Sequence, residues 1–145
     1  MKKIIRFVAL FVIGFFVFSC GESDEVIPFS EDYLWGKWKN TEALISAGGP
    51  HFWISINDGE EIEFFENGTF ISNKFNECVT GNYVVEGGTL ALEYECDEFT
   101  DQSENSEGII TSNLVLKPGF FLLSPTSGPI CTEGCQSKYE KINID

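Results

Sequence analysis

Short runs of β-prone residues alternate with turn signals along most of this chain. In Thr89–Tyr94, Leu90 and Leu92 recur on one face at a period of two, which is the spacing of a half-buried strand. Comparable runs predict eight or nine strands, at residues 34–38, 52–56, 61–66, 69–72, 81–85, 89–94, 109–116, 120–123 and 138–142.

The connections between these runs predict hairpins. Asn67-Gly68 separates two of them, and glycine-rich turns at Gly87-Gly88 and Pro118-Gly119 separate others. Helical periodicity is absent after Tyr33, although residues 40–49 could form a single helical turn. An antiparallel meander of this size hides its edges most simply by closing on itself. We therefore predict an all-β fold, an eight- to nine-stranded antiparallel meander that forms a barrel or a half-open barrel.

The N-terminus has the layout of an export signal. A basic head at residues 1–6 precedes an apolar run at 7–18, which is too short to span a bilayer, and Ser19-Cys20 follows. This resembles the lipobox of bacterial lipoproteins. The resemblance implies a signal peptide at 1–19, a lipidated Cys20 and a membrane partner.

The segment after Cys20 is polar and predicts a flexible tether at residues 20–32. The folded domain is then 33–145. By the same resemblance, Gly21 after the cysteine implies the outer membrane. The acidic residues 22–25 are either a cell-surface export cue or a solvated spacer, so the periplasmic face and the cell surface both stay open.

Charge excludes one class of partner. Removing residues 1–19 takes three of the nine basic residues and leaves six against 23 acidic ones, a net charge of −17 with no arginine. Nucleic-acid binding depends on positive patches that neutralise phosphates. We therefore expect no nucleic-acid partner. The oligomeric state is not predicted.

Four cysteines remain after Cys20, an even number that favours two disulfides in an exported domain. Their spacing lacks the short paired knuckles of a structural zinc site. A turn centred on Gly87 would place Cys78 opposite Cys96, so we expect that bridge and a local one between Cys131 and Cys135.

Several short motifs resemble the lipocalin-like lipoproteins of Gram-negative bacteria. They are residues 34–38 (with Gly36-x-Trp38), 65–70, 81–83 and Leu114-x-Leu116. The resemblance implies an eight-stranded up-and-down barrel with Trp38 plugging its closed end. Lipocalins lay an arginine over that tryptophan, and here Lys138 or Lys141 would take its place.

The resemblance also implies a small hydrophobic ligand inside the barrel. The candidate ligand-binding residues are Trp38, Phe64, Phe70, Tyr83 and Leu92. The competing interpretation is that the aromatic rings simply fill a small barrel. The first hypothesis is therefore a membrane-anchored, non-enzymatic lipocalin-like lipoprotein, and the alternative is an envelope module that contacts a protein or glycan.

Catalysis and metal binding have little support in the sequence. His51 is the sole histidine and has no nucleophile motif around it, so we expect no catalytic residue and no enzyme. Residues 95–107 hold six acids that could clamp Ca²⁺, but their spacing matches no calcium loop and favours a solvated segment. We expect no metal and no cofactor.

Overall fold

A computed structural model describes residues 30–46, 48–97, 99, 108–127 and 135–142 of the chain. These residues form a short 3₁₀ helix, Glu31–Tyr33, and nine strands. The strands are β1 (Gly36–Ile45), β2 (Phe52–Ser55), β3 (Glu61–Phe64), β4 (Thr69–Phe75), β5 (Cys78–Glu86), β6 (Thr89–Tyr94), β7 (Ile109–Lys117), β8 (Phe120–Pro125) and β9 (Gln136–Lys141).

The sheet closes into a barrel. Strands β3 to β9 follow one another as an antiparallel meander, and β9 then pairs with β1, which also pairs with β3. The closed ring therefore has eight strands, with β2 added to the free part of β1. The predicted all-β antiparallel barrel is confirmed.

Alternation along the strands fills the barrel interior. The buried side chains face inward and form one continuous apolar cluster, while their neighbours face solvent. Aromatic rings contact one another within this cluster. Phe121 stacks on Tyr139 with ring centroids 4.8 Å apart, and it packs edge-to-face on Trp38 with centroids 4.9 Å apart. Such aromatic pairs stabilise a core by about 0.5–1.5 kcal/mol beyond their burial.

The two ends of the barrel differ. The closed end carries the tight turns at Phe65, at Gly87-Gly88 and at Gly119, and it is also where β1 begins. Leu34, which follows the 3₁₀ helix, is fully buried there. The opposite end, here called the loop end, carries the longer connections at residues 46–51, 95–108 and 126–135.

Two local predictions are corrected. The expected helical turn at residues 40–49 is wrong, because β1 continues to Ile45 and pairs with β9 on one side and with β2 on the other. Those pairings outweigh the weak helix propensity of this stretch. The β5–β6 turn is centred between Gly87 and Gly88, both at positive φ, rather than on Gly87. That is the two-residue turn whose twist matches a hairpin.

The predicted signal peptide at 1–19 and Cys20 lie outside the described residues. The end of the predicted tether, 20–32, overlaps the 3₁₀ helix that begins at Glu31. The described chain thus enters the fold at Ser30, beside the closed end.

Candidate functional site

Trp38 fills the closed end of the barrel, as the lipocalin resemblance implies. Its indole nitrogen donates a hydrogen bond of 2.7 Å to the carbonyl oxygen of Leu34. The Lys141 ammonium lies 5.1 Å from the centre of the indole ring, within the range of a cation–π contact. The expected lysine partner is therefore Lys141, whereas Lys138 lies over Phe120 and pairs with Glu42 and Glu140.

The five candidate ligand-binding residues all lie in the buried core. Phe64 meets Tyr83 edge-on at 4.9 Å, and Phe70 meets Tyr94 in the same way at 5.0 Å. Trp38 packs on Phe121, and Leu92 belongs to the same cluster. These side chains thus pack within the apolar core of the described barrel. The arrangement matches the interpretation in which the rings fill the interior.

A second aromatic group, the loop-end cluster, consists of Phe75, Tyr94 and Phe99. Its ring centroids are 4.9 to 5.2 Å apart. Phe99 comes from the segment after β6 and packs against the core from above. Lys74 places its ammonium 5.6 Å from the Phe75 ring. This side of the loop end is therefore covered by the chain's own rings.

The disulfide between Cys78 and Cys96 lies beside the loop-end cluster, because Cys78 is paired with Phe75 and the Cys96 carbonyl accepts a hydrogen bond from the Phe99 amide. It joins the start of β5 to the segment just after β6, so the predicted pairing of these two cysteines is confirmed. Cys135 is also disulfide-bonded. Cys131 lies outside the described residues, and its pairing with Cys135 stays a prediction.

A polar group, the hydroxyl–carboxylate cluster, consists of Glu60, Ser72 and Tyr139. The carboxylate of Glu60 accepts hydrogen bonds from the Tyr139 hydroxyl at 2.7 Å and from the Ser72 hydroxyl at 2.8 Å. Burial first, and the Glu60 charge second, raise the pKa of Tyr139 well above its usual value. The phenol therefore stays protonated and serves as a hydrogen-bond donor.

The hydroxyl–carboxylate cluster lies where the barrel wall is irregular. The register of β1 and β9 shifts between Asn40 and Glu42, which leaves Thr41 as a bulge. The backbone carbonyl of Glu60 accepts a hydrogen bond of 2.8 Å from the Asn40 amide. Gly59 lies so close that an added Cβ would stand 1.9 Å from the Asn40 carbonyl oxygen. These backbone contacts hold the segment between β2 and β3 against β1.

Strand β2 stands apart from the rest of the barrel. Its four residues are all exposed, including 50% of Phe52, 42% of Trp53 and 38% of Ile54. Trp53 is paired with Leu44, and Ile54 with Ala43. Because opposed residues share a face, Trp53 lies on one face of β2, and Phe52 and Ile54 lie on the other. Apolar side chains are therefore presented on both faces.

The second edge of β2 has no strand partner among the described residues. The cause is the length of β4, which pairs with β3 through Phe70–Ser72 and turns back after Phe75. β2 and β3 occupy the same edge of β1, separated by the turn at Asn57 and Asp58. The free edge of β2 therefore lies at the loop end of the barrel.

Several lysine side chains of the described barrel form ion pairs or cation–π contacts with neighbouring residues. Lys37 pairs with Glu61 at 2.6 Å, and the hydrogen bond between them raises the pKa of Lys37 and lowers that of Glu61. Lys138 pairs with two glutamates, and Lys141 covers Trp38. The surface is consequently dominated by the acidic excess.

The remaining sequence predictions fall on exposed loops or outside the description. His51 is exposed in the loop that leads into β2. Of the six acids at 95–107, only Glu95 and Asp97 are described. Among the described residues, no group of three or more metal-ligating side chains is arranged to hold an ion. No helix in the described part of the chain is long and apolar enough to cross a membrane.

Sequence reasoning missed two features of this arrangement. The strand at 52–56 was predicted, but the exposure of its apolar side chains was not. The available signal for that exposure was the run from His51 to Asn57, which is uncharged and lacks the apolar–polar alternation of a half-buried strand. Glu60 carried no comparable signal, because its partners come from distant strands.

Comparison with known proteins adds no relative to this description. No protein-family model matches the chain, and no curated protein matches it at a significant level of similarity.

Proposed function

We propose that this protein is a membrane-anchored, non-enzymatic envelope lipoprotein of lipocalin-like type that contacts a protein or glycan through its β1–β2 hairpin. The hairpin is defined here as the paired residues Glu42–Ile45 and Phe52–Ser55. The observation that carries the proposal is the exposure of Phe52, Trp53 and Ile54 on a strand with a free edge.

An uncovered apolar edge strand is unusual in a native protein, because it invites pairing with other chains. The usual protections are charged side chains, proline or a covering segment. β2 contains none of these residue types, and Pro50 and Asp58 lie outside it. Retaining such a strand is consistent with its being covered by a partner in the working state.

The packing of the barrel interior favours a surface contact with a protein or glycan over a small hydrophobic ligand in the lumen. The lumen of an eight-stranded barrel just accommodates its own side chains. Here the five predicted ligand-binding residues all belong to the buried apolar cluster, in which Phe64 contacts Tyr83, Phe70 contacts Tyr94 and Trp38 contacts Phe121. A small hydrophobic ligand stays the alternative, and native mass spectrometry of protein purified from its own membrane tests it. A co-purified molecule of constant mass would favour that alternative.

The predicted anchor would leave the barrel at the end opposite the β1–β2 hairpin, so the hairpin would face away from the membrane. The described chain begins at Ser30 beside the closed end, and the β1–β2 hairpin lies at the loop end. An acylated Cys20 would therefore tether the barrel by the end opposite the hairpin. Two or more acyl chains make such attachment stable.

Site-specific photo-crosslinking in intact cells tests the proposal. A photoreactive amino acid replaces Trp53 in one variant and Val84 in the other. Val84 is the matched control because it is 61% exposed and lies on the outer wall of β5. We expect a discrete adduct from position 53 and none from position 84. Equal labelling from both positions, or none from position 53, would refute the hairpin as the contact surface.

A further inference from the structure

We infer that the β1–β2 hairpin binds its partner by strand addition, with an extended protein segment pairing along the free edge of β2. This inference rests on the proposed function and narrows it to one kind of partner. In strand addition, main-chain hydrogen bonds supply affinity and alternate side chains supply specificity.

Backbone geometry identifies the groups that would accept the added strand. The Ile56 amide donates a hydrogen bond of 2.8 Å to the Thr41 carbonyl, so its N–H points toward β1. Backbone direction alternates along a strand, so the amides of Phe52 and Ile54 also point toward β1. Trp53 and Ser55 consequently direct their N–H and C=O groups outward, at the free edge.

Side chains on both faces of β2 fit the same mode of binding. The added segment would lay alternate residues beside Trp53 on one face and beside Phe52 and Ile54 on the other. These three apolar side chains are 38 to 50% exposed, so each has surface left to bury. The partner segment should therefore be uncharged and rich in β-branched or aromatic residues over about four positions, the length of β2.

Charge favours basic residues on either side of that segment. Asp58 lies in the turn that follows β2, and Glu77 lies in the β4–β5 turn at the loop end, where Lys74 is the opposing charge. Residues 20–145 hold six basic and 23 acidic residues, a net charge of −17. Lysine or arginine flanking the apolar segment would complement this field and speed association.

The same observations disfavour two other occupants. A second copy of this chain would bring together two domains that each carry the same strong negative charge. The membrane that holds Cys20 would lie at the closed end, opposite β2. A segment of a different, basic-flanked protein is the occupant that both charge and geometry favour.

The test uses synthetic peptides of defined sequence and the full-length protein in detergent. One peptide alternates valine and threonine and has two lysines at each end, and the other has glutamates in place of the lysines. We expect the lysine-flanked peptide to bind at least tenfold more tightly, measured by fluorescence anisotropy. Equal binding of the two peptides, or no binding of either, would overturn the inferred partner chemistry.

The Ser55→Pro variant separates backbone pairing from side-chain contact. Proline removes the outward N–H while keeping all three apolar side chains, and it is tolerated on edge strands where the N–H faces solvent. Ser55→Thr is the control, since it retains the N–H. We expect at least a tenfold loss of peptide binding for Ser55→Pro and almost none for Ser55→Thr, with unchanged thermal melting in both.

The outcomes distinguish this inference from the function on which it rests. If Trp53→Ala weakens binding and Ser55→Pro does not, strand addition is wrong while the hairpin stays a contact surface. If the crosslinker at position 53 captures a second copy, a glycan or lipid instead of a different protein, the inferred partner is wrong. Binding of vesicles that lack protein by the Cys20→Ser variant, with Trp53 required, would also overturn it.

Discussion

Tyr139 donates a hydrogen bond of 2.7 Å from its hydroxyl to Glu60, a residue 79 positions earlier in the chain. The bond spans β1, which pairs with β9 on one side and with β3 on the other, and it joins β9 to the stretch that separates β2 from β3. It therefore links the closure of the barrel to the base of the exposed β1–β2 hairpin.

Replacing Tyr139 by phenylalanine should lower the free energy of unfolding by about 1–3 kcal/mol, because one hydrogen bond to the Glu60 carboxylate is lost. Urea denaturation at neutral pH measures the change. Ser72→Ala removes the other hydroxyl bound by Glu60 and should act in the same direction. Unchanged stability of Tyr139→Phe would mean that the contact is not formed in solution.

Tyr139 should also make the protein sensitive to alkali. Burial and the Glu60 charge raise its pKa in the folded state, whereas the unfolded chain loses this proton near pH 10. The contribution of Tyr139 to the free energy of unfolding is therefore fully present below about pH 10. It falls as the pH rises further, because the unfolded state releases a proton that the folded state retains. Tyr139→Phe should remove only part of this decline in stability. Burial also raises the pKa of Tyr83, so that residue contributes to the decline as well.

Removing the disulfide between Cys78 and Cys96 should destabilise the domain by roughly 3 kcal/mol in the chain-entropy picture, given its sequence separation of 18. The double variant with serine at both positions is the appropriate test, because it leaves no free thiol to reshuffle. Chemical denaturation under non-reducing conditions gives the difference. A loss below about 1 kcal/mol would show that the bridge contributes little beyond the hairpin it closes.

Gly81→Ala should destabilise the barrel by at least about 1–3 kcal/mol through overpacking. An added Cβ would lie 2.0 Å from the Glu93 carbonyl oxygen and 2.8 Å from the ring of Phe70. Gly49→Ala is the matched control, since a Cβ there meets nothing within 4 Å. The melting temperature should fall by about 4–8 °C per kcal/mol for a domain of this size, and it should fall only for Gly81→Ala.

Cys20→Ser should abolish incorporation of radiolabelled palmitate and release the protein from the membrane fraction. The physical reason is that serine offers no thiol for acylation, and the apolar run at residues 7–18 is too short to span a bilayer. Gel autoradiography after metabolic labelling measures this. Palmitate retained by the variant would refute the predicted anchor.

The sequence predicted most of the barrel because its signals were local. Alternation at Leu90 and Leu92 marked β6, and the glycine pair at 87 and 88 marked a turn whose position fixed Cys78 near Cys96. The exposure of β2 was beyond local reasoning. It depends on β4 turning back after Phe75 and leaving the free edge uncovered.

The hydroxyl–carboxylate cluster could not be predicted for a related reason. Glu60, Ser72 and Tyr139 come from three separate parts of the chain, and only the register of the closed barrel brings them together. A single glutamate between Gly59 and Glu61 looks like one more surface acid in so acidic a sequence.

The most direct test of the central claim is hydrogen–deuterium exchange of β2 in two states of the full-length protein. Peptides spanning residues 50–57 are compared between isolated native membranes and the extracted, purified protein, with a β5–β6 peptide as internal reference. If a partner covers β2, its outward amides at Trp53 and Ser55 should exchange at least tenfold more slowly in membranes, while the reference is unchanged. Equal exchange of residues 50–57 in the two states would contradict the claim that the β1–β2 hairpin is an occupied contact surface.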